Sequence, residues 1–168
     1  MKVSVIDGDI TAVPAQALIT AINSSGMWFG GIDGAIMRAA GDQFHAQAAD
    51  ALRIDRSVKA VVAKQRGWHY GNFVDVVFVI DDLEEPLNVI VRRSLTVAGD
   101  AGYHIVSMPL IRFGVMRDVG GTSESKLRDI VMAIEGAQND VKNRIEKLSV
   151  VVYGDLALSA QLRGLLER

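Results

Sequence analysis

The sequence contains no cysteine, which excludes disulfides, thiolate nucleophiles and Cys-ligated zinc. It also has no internal repeat, no low-complexity segment and no linker, so one domain over residues 1–168 is expected, with a single sizeable core. No apolar run is long enough to cross a bilayer, so no membrane partner is expected. The opening residues, Met1-Lys2-Val3-Ser4-Val5-Ile6, read as a strand and lack the basic region and cleavage site of a secretory signal; a cytoplasmic location is expected. Positive charge is not in excess. The formal net charge of -2 argues against a general nucleic-acid binder. It leaves an anionic small ligand open, because backbone N–H groups at loops and helix N-termini hold phosphates without net charge. Gly-x-x-x-x-Gly-Lys-Ser/Thr is absent, which argues against a P-loop nucleotidase. No Gly-x-Gly-x-x-Gly follows the first strand, which argues against a dinucleotide-binding Rossmann domain. His45, His69 and His104 stand at no metal or catalytic spacing and read as surface or helix-end residues. No metal and no cofactor is expected.

What is present is the balance of a soluble globular protein, 49% hydrophobic and 23% charged residues. Strand and helix patterns alternate, which favours an α/β sandwich with a mixed or mostly parallel sheet. Strands are expected at residues 3–6, 17–22, 58–63, 74–80, 104–111 and 148–153. The fourth is nearly all apolar and β-branched, as a sheet centre requires. A turn is expected at residues 8–11. A helix is expected from Asp33, a good N-cap residue, through Ile36, Met37, Ala40 and Phe44, weakened or broken at Gly41. Pro86 suits the first position of the next helix, in which Leu87, Ile90, Val91, Leu95 and Ala98 repeat with helical spacing. Another helix begins near Ser123 and carries Leu127, Ile130, Val131, Ile134 and Ala137 on one face. The chain ends in a leucine-rich helix. The acidic pairs Asp81-Asp82 and Glu84-Glu85 read as solvated turn and helix-start charges.

Two glycine-containing loops follow strands, at residues 23–34 and 112–121. In an open α/β sheet, ligands sit beyond the carboxyl ends of strands. Glycine lets backbone approach a phosphate, and a following helix adds its N-terminal dipole. Together the loops could clamp a diphosphate; each taken alone is more often a plain turn. Asp9 reads either as a ligand acceptor or as a turn cap. Asn23 reads either as a ligand contact or as a loop holder. Tyr153 reads either as a stacking platform or as a half-buried strand aromatic.

The combination is more specific than its parts. Val5-Ile6-Asp7-Gly8-Asp9-Ile10-Thr11 resembles the opening of macro domains. Asn23-Ser24-Ser25, then Gly30-Gly31-Ile32-Asp33-Gly34-Ala35-Ile36 and Arg38-Ala39-Ala40-Gly41, is similar to that family's first ligand loop and helix. Ser107-Met108-Pro109-Leu110-Ile111 followed by Gly114-Val115 resembles its second loop, and Val152-Tyr153-Gly154-Asp155 its last strand. The resemblance implies a three-layer α/β/α sandwich with a mixed sheet and an ADP-ribose cleft across the carboxyl edge. It implies that Asp9 accepts from the adenine amino group, with the Ile10 N–H assisting, and that Tyr153 flanks the base. Gly30, Gly31 and Ile32 would line the diphosphate and distal ribose, with Gly114 and Val115 opposite. Asn23 would contact the distal ribose. Asp33 matches the acidic position that hydrolytic members place near the anomeric carbon.

Departures cluster at the distal-ribose end. Thr20 replaces an Asn, and Trp28 and Phe29 stand in the glycine run. Met37 replaces a His, and Arg112-Phe113-Gly114 replaces Ser-Thr-Gly. Met116 stands for the aromatic that packs on the distal ribose, and Arg117 for the glycine after it. Arg112 and Arg117 carry two readings: charge set against the diphosphate, or solvated surface charge. The partner implied is ADP-ribose or an ADP-ribosylated protein. The activity implied is hydrolysis of ADP-ribosyl or O-acetyl-ADP-ribose esters, against a binding module without turnover.

Overall fold

The computed structural model describes residues 1–26, 31–114, 117–140 and 142–167. Among these, strands β1 (Lys2–Asp7), β2 (Ala15–Ile22), β3 (Ala60–Ala63), β4 (Phe73–Ile80), β5 (Ile105–Pro109) and β6 (Lys147–Val152) form one sheet. Helices α1 (Ile32–Ala40), α2 (Gln43–Ile54), α3 (Leu87–Asp100), α4 (Ser123–Asn139) and α5 (Leu156–Leu166) flank it, with a short 3-10 helix at Ile10–Ala12. The strand order is β1-β6-β5-β2-β4-β3. β3 pairs antiparallel with β4 at one edge, and all other pairs are parallel. The expected three-layer α/β/α sandwich with a mixed sheet is what the chain forms.

Period-2 alternation explains how both faces are covered. On β2, Ala17 and Ile19 point into one cluster, and Leu18 and Ile22 into the other. On β4, Val77 and Val79 face the first cluster, Val76, Phe78 and Ile80 the second. The first cluster is closed by α3, α4 and α5 through Leu95, Ile130, Ile134 and Leu162. The second is closed by α1 and α2 through Ile36, Phe44 and Leu52. Strands buried on both faces need apolar residues at successive positions, which is why β4 is apolar from Val76 to Ile80.

Several local expectations are corrected. The break at Gly41 is complete: its φ of 65° is a left-handed conformation suited to glycine, and its N–H closes α1 onto Met37. Gly31, not Asp33, caps α1, and Asp33 lies inside the first turn. Pro86 is the cap of α3, with Leu87 first in the helix. His45 and His69 are buried rather than superficial, because each ring packs against core phenylalanines, His45 on Phe78 and His69 on Phe44 and Phe73. Asp81 is buried as well. Trp28, Phe29, Gly30, Val115 and Met116 lie outside the described residues.

At the amino edge of the sheet a polar group is folded into the structure. Asp75 of β4 accepts from the Tyr103 hydroxyl at 2.6 Å, Lys64 Nζ at 3.0 Å and the Gln65 N–H at 2.8 Å. Burial raises the Asp75 pKa, but those hydrogen bonds outweigh it and the net direction is down. Burial and the bond to Asp75 push the Tyr103 phenol up to about 12.

Candidate ligand cleft

Five parallel strands deliver their carboxyl ends to one edge, and a cleft of about 520 Å³ opens there. Its wall comes from residues 8–10 after β1, 20–22 of β2, 31–33 at the start of α1, Asp81 after β4, 109–114 after β5 and 151–155 after β6. Sequence-distant loops meet because parallel pairing forces equivalent ends together.

At one end, the register pairs Asp7 of β1 with Val152 of β6, and the Gly8 N–H donates to the Val152 carbonyl at 2.9 Å. Asp9 and Tyr153 follow directly on these two strands and both line the cleft. Asp9 Oδ1 accepts from the Thr11 N–H at 2.9 Å and the Thr11 hydroxyl at 2.8 Å, capping the 3-10 helix. Its Oδ2 has no protein partner among the described residues. Capping therefore fixes the carboxylate and leaves one oxygen to accept from a ligand. Ile10 is buried beneath it. Tyr153 is 83% exposed, so its ring is not a half-buried core aromatic.

Gly31 has a φ of 60° and turns the chain into α1. The first N–H groups of that helix have no intrahelical partner and lie at the cleft, where they suit an anion. Phe113 and Gly114 also form part of the wall.

Arg112 shows neither behaviour expected of it. It has a left-handed backbone, φ 65°, and a buried side chain. Its Nε donates to Asp81 Oδ2 at 2.8 Å, and its Nη2 donates to Asp81 Oδ1 at 2.7 Å and to the Glu85 carbonyl at 2.8 Å. The guanidinium is neutralised in the wall by Asp81, so it is neither a solvated charge nor a free cation for a diphosphate. Arg117 is more exposed and pairs with Asp155 at 3.2 Å, linking the loop after β5 to the loop after β6.

Lys126 was not singled out by the sequence, although its spacing to Ile130 and Ala133 puts it on the buried face of α4. It is 1% exposed. Nζ donates to the carbonyls of Arg112 at 3.2 Å and Arg117 at 2.6 Å, and lies 5.8 Å from the Phe113 ring centre. It gathers the two ends of the second loop much as a bound cation would. Burial, reinforced by the charge of Arg112, pushes the Lys126 pKa down.

Asp33 is 4% exposed and lines the cleft. Its Oδ1 lies 3.1 Å from His45 Nε2. Thr20 is buried in the floor. Asn23 behaves as a loop holder: its Oδ1 accepts from the Ser25 N–H at 3.1 Å and the Ser25 hydroxyl at 2.7 Å. It is not among the residues that line the cleft.

The chain is similar in sequence and in fold to known proteins. The family model for the macro domain matches residues 19–118. A protein of Enterobacter cloacae named O-acetyl-ADP-ribose deacetylase is 30% identical, the match covering 99% of this chain and 95% of that one. The Oceanobacillus iheyensis macrodomain, solved with ADP, is 18% identical and superimposes with a TM-score of 0.76 over 98% of this chain and 90% of its own. The Trypanosoma brucei macrodomain, solved in complex with ADP-ribose, is 16% identical with a TM-score of 0.74 over 98% of this chain and 67% of its own.

Proposed function

This chain belongs to the macro domain family, and from that premise we propose that its cleft binds ADP-ribose and hydrolyses ester bonds at the distal ribose. The observation that carries the reading is one cleft whose lining joins three chemistries. Tyr153 and Asp9 bring an aromatic face and a half-engaged carboxylate. Gly31 and Ile32 at the start of α1, and Gly114 after β5, bring backbone N–H groups. Asp33 brings a buried carboxylate. Adenine, a diphosphate and a distal ribose call for these three.

Asp9 Oδ2 accepts from the adenine N6 amino group, which selects against bases lacking a donor there. Tyr153 supplies apolar area and a π face. Gly30, Val115 and Met116 belong to the same assignment by sequence position. The diphosphate is held by amides, which places the reacting carbon beside Asp33. A water bonds to that carbon as its proton passes to Asp33 Oδ2. The ester C–O bond breaks, and its electron pair leaves on the departing oxygen. From an ADP-ribosylated side chain the departing group is the protein carboxylate, ADP-ribose is freed and Asp33 returns its proton to solvent; from an O-acetyl ester the departing ribose oxygen takes the proton from Asp33, and the acetic acid formed loses its own proton to solvent. The relatives named O-acetyl-ADP-ribose deacetylase support this class.

A second reading, a binding module without turnover, draws support from Asn23, whose carboxamide oxygen is engaged by Ser25 and away from the cleft lining. Calorimetry with ADP-ribose, combined with a release assay on O-acetyl-ADP-ribose and on a carboxylate-linked ADP-ribosylated protein, separates the two. Binding with turnover that Asp33→Ala abolishes supports the hydrolase. Binding without turnover selects the module. No heat with ADP-ribose ends both. Among the described residues no helix is long and apolar enough to cross a membrane. The cytoplasm is the proposed location, which cell fractionation tests.

A further inference from the structure

We propose that His45 is a positioning residue for Asp33, fixing the carboxylate so that one oxygen alone faces the reacting centre. This rests on the reading of Asp33 as the group that takes a proton from water.

The two residues come from different helices, α1 and α2, and their side chains are 6% and 7% exposed. A carboxylate in so dry a place loses most of its hydration, and an ionised one persists there only with hydrogen bonds in compensation. His45 Nε2, at 3.1 Å from Oδ1, supplies one. An ionised carboxylate only accepts, so the bond places a proton on Nε2. Oδ2 has no protein partner among the described residues, and Asp33 lines the cleft. The two oxygens are therefore unequal: one is tied to the protein and the other is left for chemistry.

The imidazole is itself held. Its ring meets Phe78 edge-on with centres 4.9 Å apart, and Phe78 is fully buried in the sheet. A rigid core aromatic fixes the ring, the ring fixes Oδ1, and Oδ1 fixes the direction of Oδ2. A base oriented by a third group is the recurring design of activated nucleophiles. The proton balance is that of the hydrolysis already given: water's proton goes to Oδ2, the ester's electron pair leaves with the departing oxygen, and His45 Nε2 keeps its proton throughout. Without the Nε2 donor the carboxylate turns freely about its own axis, and misplacement of that order costs about 100-fold in rate.

The test compares His45→Leu, which keeps bulk and loses the donor, with His45→Gln, whose side-chain amide reaches a similar point. Steady-state hydrolysis of O-acetyl-ADP-ribose and calorimetry with ADP-ribose are read for each. Melting curves establish that each variant is folded. The expected result for His45→Leu is a kcat lower by about 100-fold, with KM and ADP-ribose affinity unchanged. His45→Gln is expected to restore most of the rate. In Asp33→Ala, adding His45→Leu changes nothing further. The inference is overturned if His45→Leu keeps the wild-type kcat, if affinity falls in step with kcat, or if His45→Gln is as slow as His45→Leu. Should His45→Leu not fold, His45→Asn, whose amide is too short to reach Oδ1, takes its place. A wild-type protein without turnover overturns the hydrolase reading and this inference together. An active wild type with an inert Asp33→Ala and a fully active His45→Leu overturns this inference alone.

Discussion

The guanidinium of Arg112 holds the carboxylate of Asp81 through two parallel bonds of 2.8 and 2.7 Å, and both side chains are buried. The pair joins the loop after β5 to the end of β4, so it sets the wall of the cleft rather than its charge. Leaving either partner alone strands a buried charge. Arg112→Met or Asp81→Asn should each destabilise the fold by about 3–5 kcal/mol. The double variant Arg112→Met/Asp81→Asn should cost clearly less than the two single changes added together, because no uncompensated charge remains. Urea unfolding of the four proteins measures this cycle; additive losses would show that the pair is not coupled.

Lys126 draws the carbonyls of Arg112 and Arg117 inward, and its removal should loosen the loop opposite α1. Lys126→Met should weaken ADP-ribose and ADP binding by about 10-fold or more, as expected for lost hydrogen bonds from a charged donor. Adenosine, which lacks the diphosphate, should bind Lys126→Met and wild type alike. Calorimetry with the three ligands tests this. An equal loss for adenosine would mean that Lys126 supports the fold at large and not the diphosphate subsite.

Most of the strand and helix order was legible because those elements carry a pattern that survives in one sequence; α2 (Gln43–Ile54) was read only as the end of the preceding helix, up to Phe44. β4 is apolar from Val76 to Ile80 because that stretch is buried on both faces, and α4 repeats its apolar residues with helical spacing. The meeting of Asp9 and Tyr153 at one edge was legible too, since both lie just beyond neighbouring parallel strands. What was not legible depends on which side chains meet in three dimensions. Asp81 reads as one of four acidic residues in a polar stretch until Arg112, far along the chain, is folded onto it. His45 shows no catalytic spacing because its partner Asp33 lies on another helix, across the break at Gly41. Lys126 could have been found: a lysine on the buried face of an amphipathic helix demands a buried acceptor.

The amino-edge cluster should give the protein a stability profile limited at both ends of the pH scale. Tyr103, raised to about 12 by burial and Asp75, favours its neutral form in the folded state. Its contribution is complete below the ordinary phenol pKa of about 10 and is lost as the pH rises from there towards 12. Asp75 is shifted the other way. Its contribution is present above the ordinary carboxylate pKa of about 3.9 and is lost as the pH falls through its lower folded value. Tyr103→Phe should lower stability by about 1–3 kcal/mol at neutral pH, because Asp75 loses a buried donor. The same variant should flatten the alkaline limb. Unfolding free energies collected across the pH range check both. An unchanged alkaline limb in Tyr103→Phe would assign that loss of stability to another group.

Asp9 offers the sharpest discrimination between ligands, because its two oxygens have separate duties. Oδ1 caps the 3-10 helix through Thr11, and Oδ2 is the acceptor proposed for the adenine amino group. Asp9→Asn keeps an oxygen for the cap, while its amide nitrogen, now a donor, takes the place of the ligand acceptor. It should weaken ADP-ribose binding by about 10–100-fold, the range for a lost hydrogen bond to a charged group, with little change in melting temperature. Asp9→Ala should lose both duties and fall in stability by about 1 kcal/mol as well, the usual cost of a missing N-cap. The guanine counterpart of the ligand presents a carbonyl where adenine presents an amino group. Wild type should reject it, and Asp9→Asn should bind it no worse than wild type does. Equal affinity of the wild type for the two bases would remove Asp9 from base recognition and leave it only the cap.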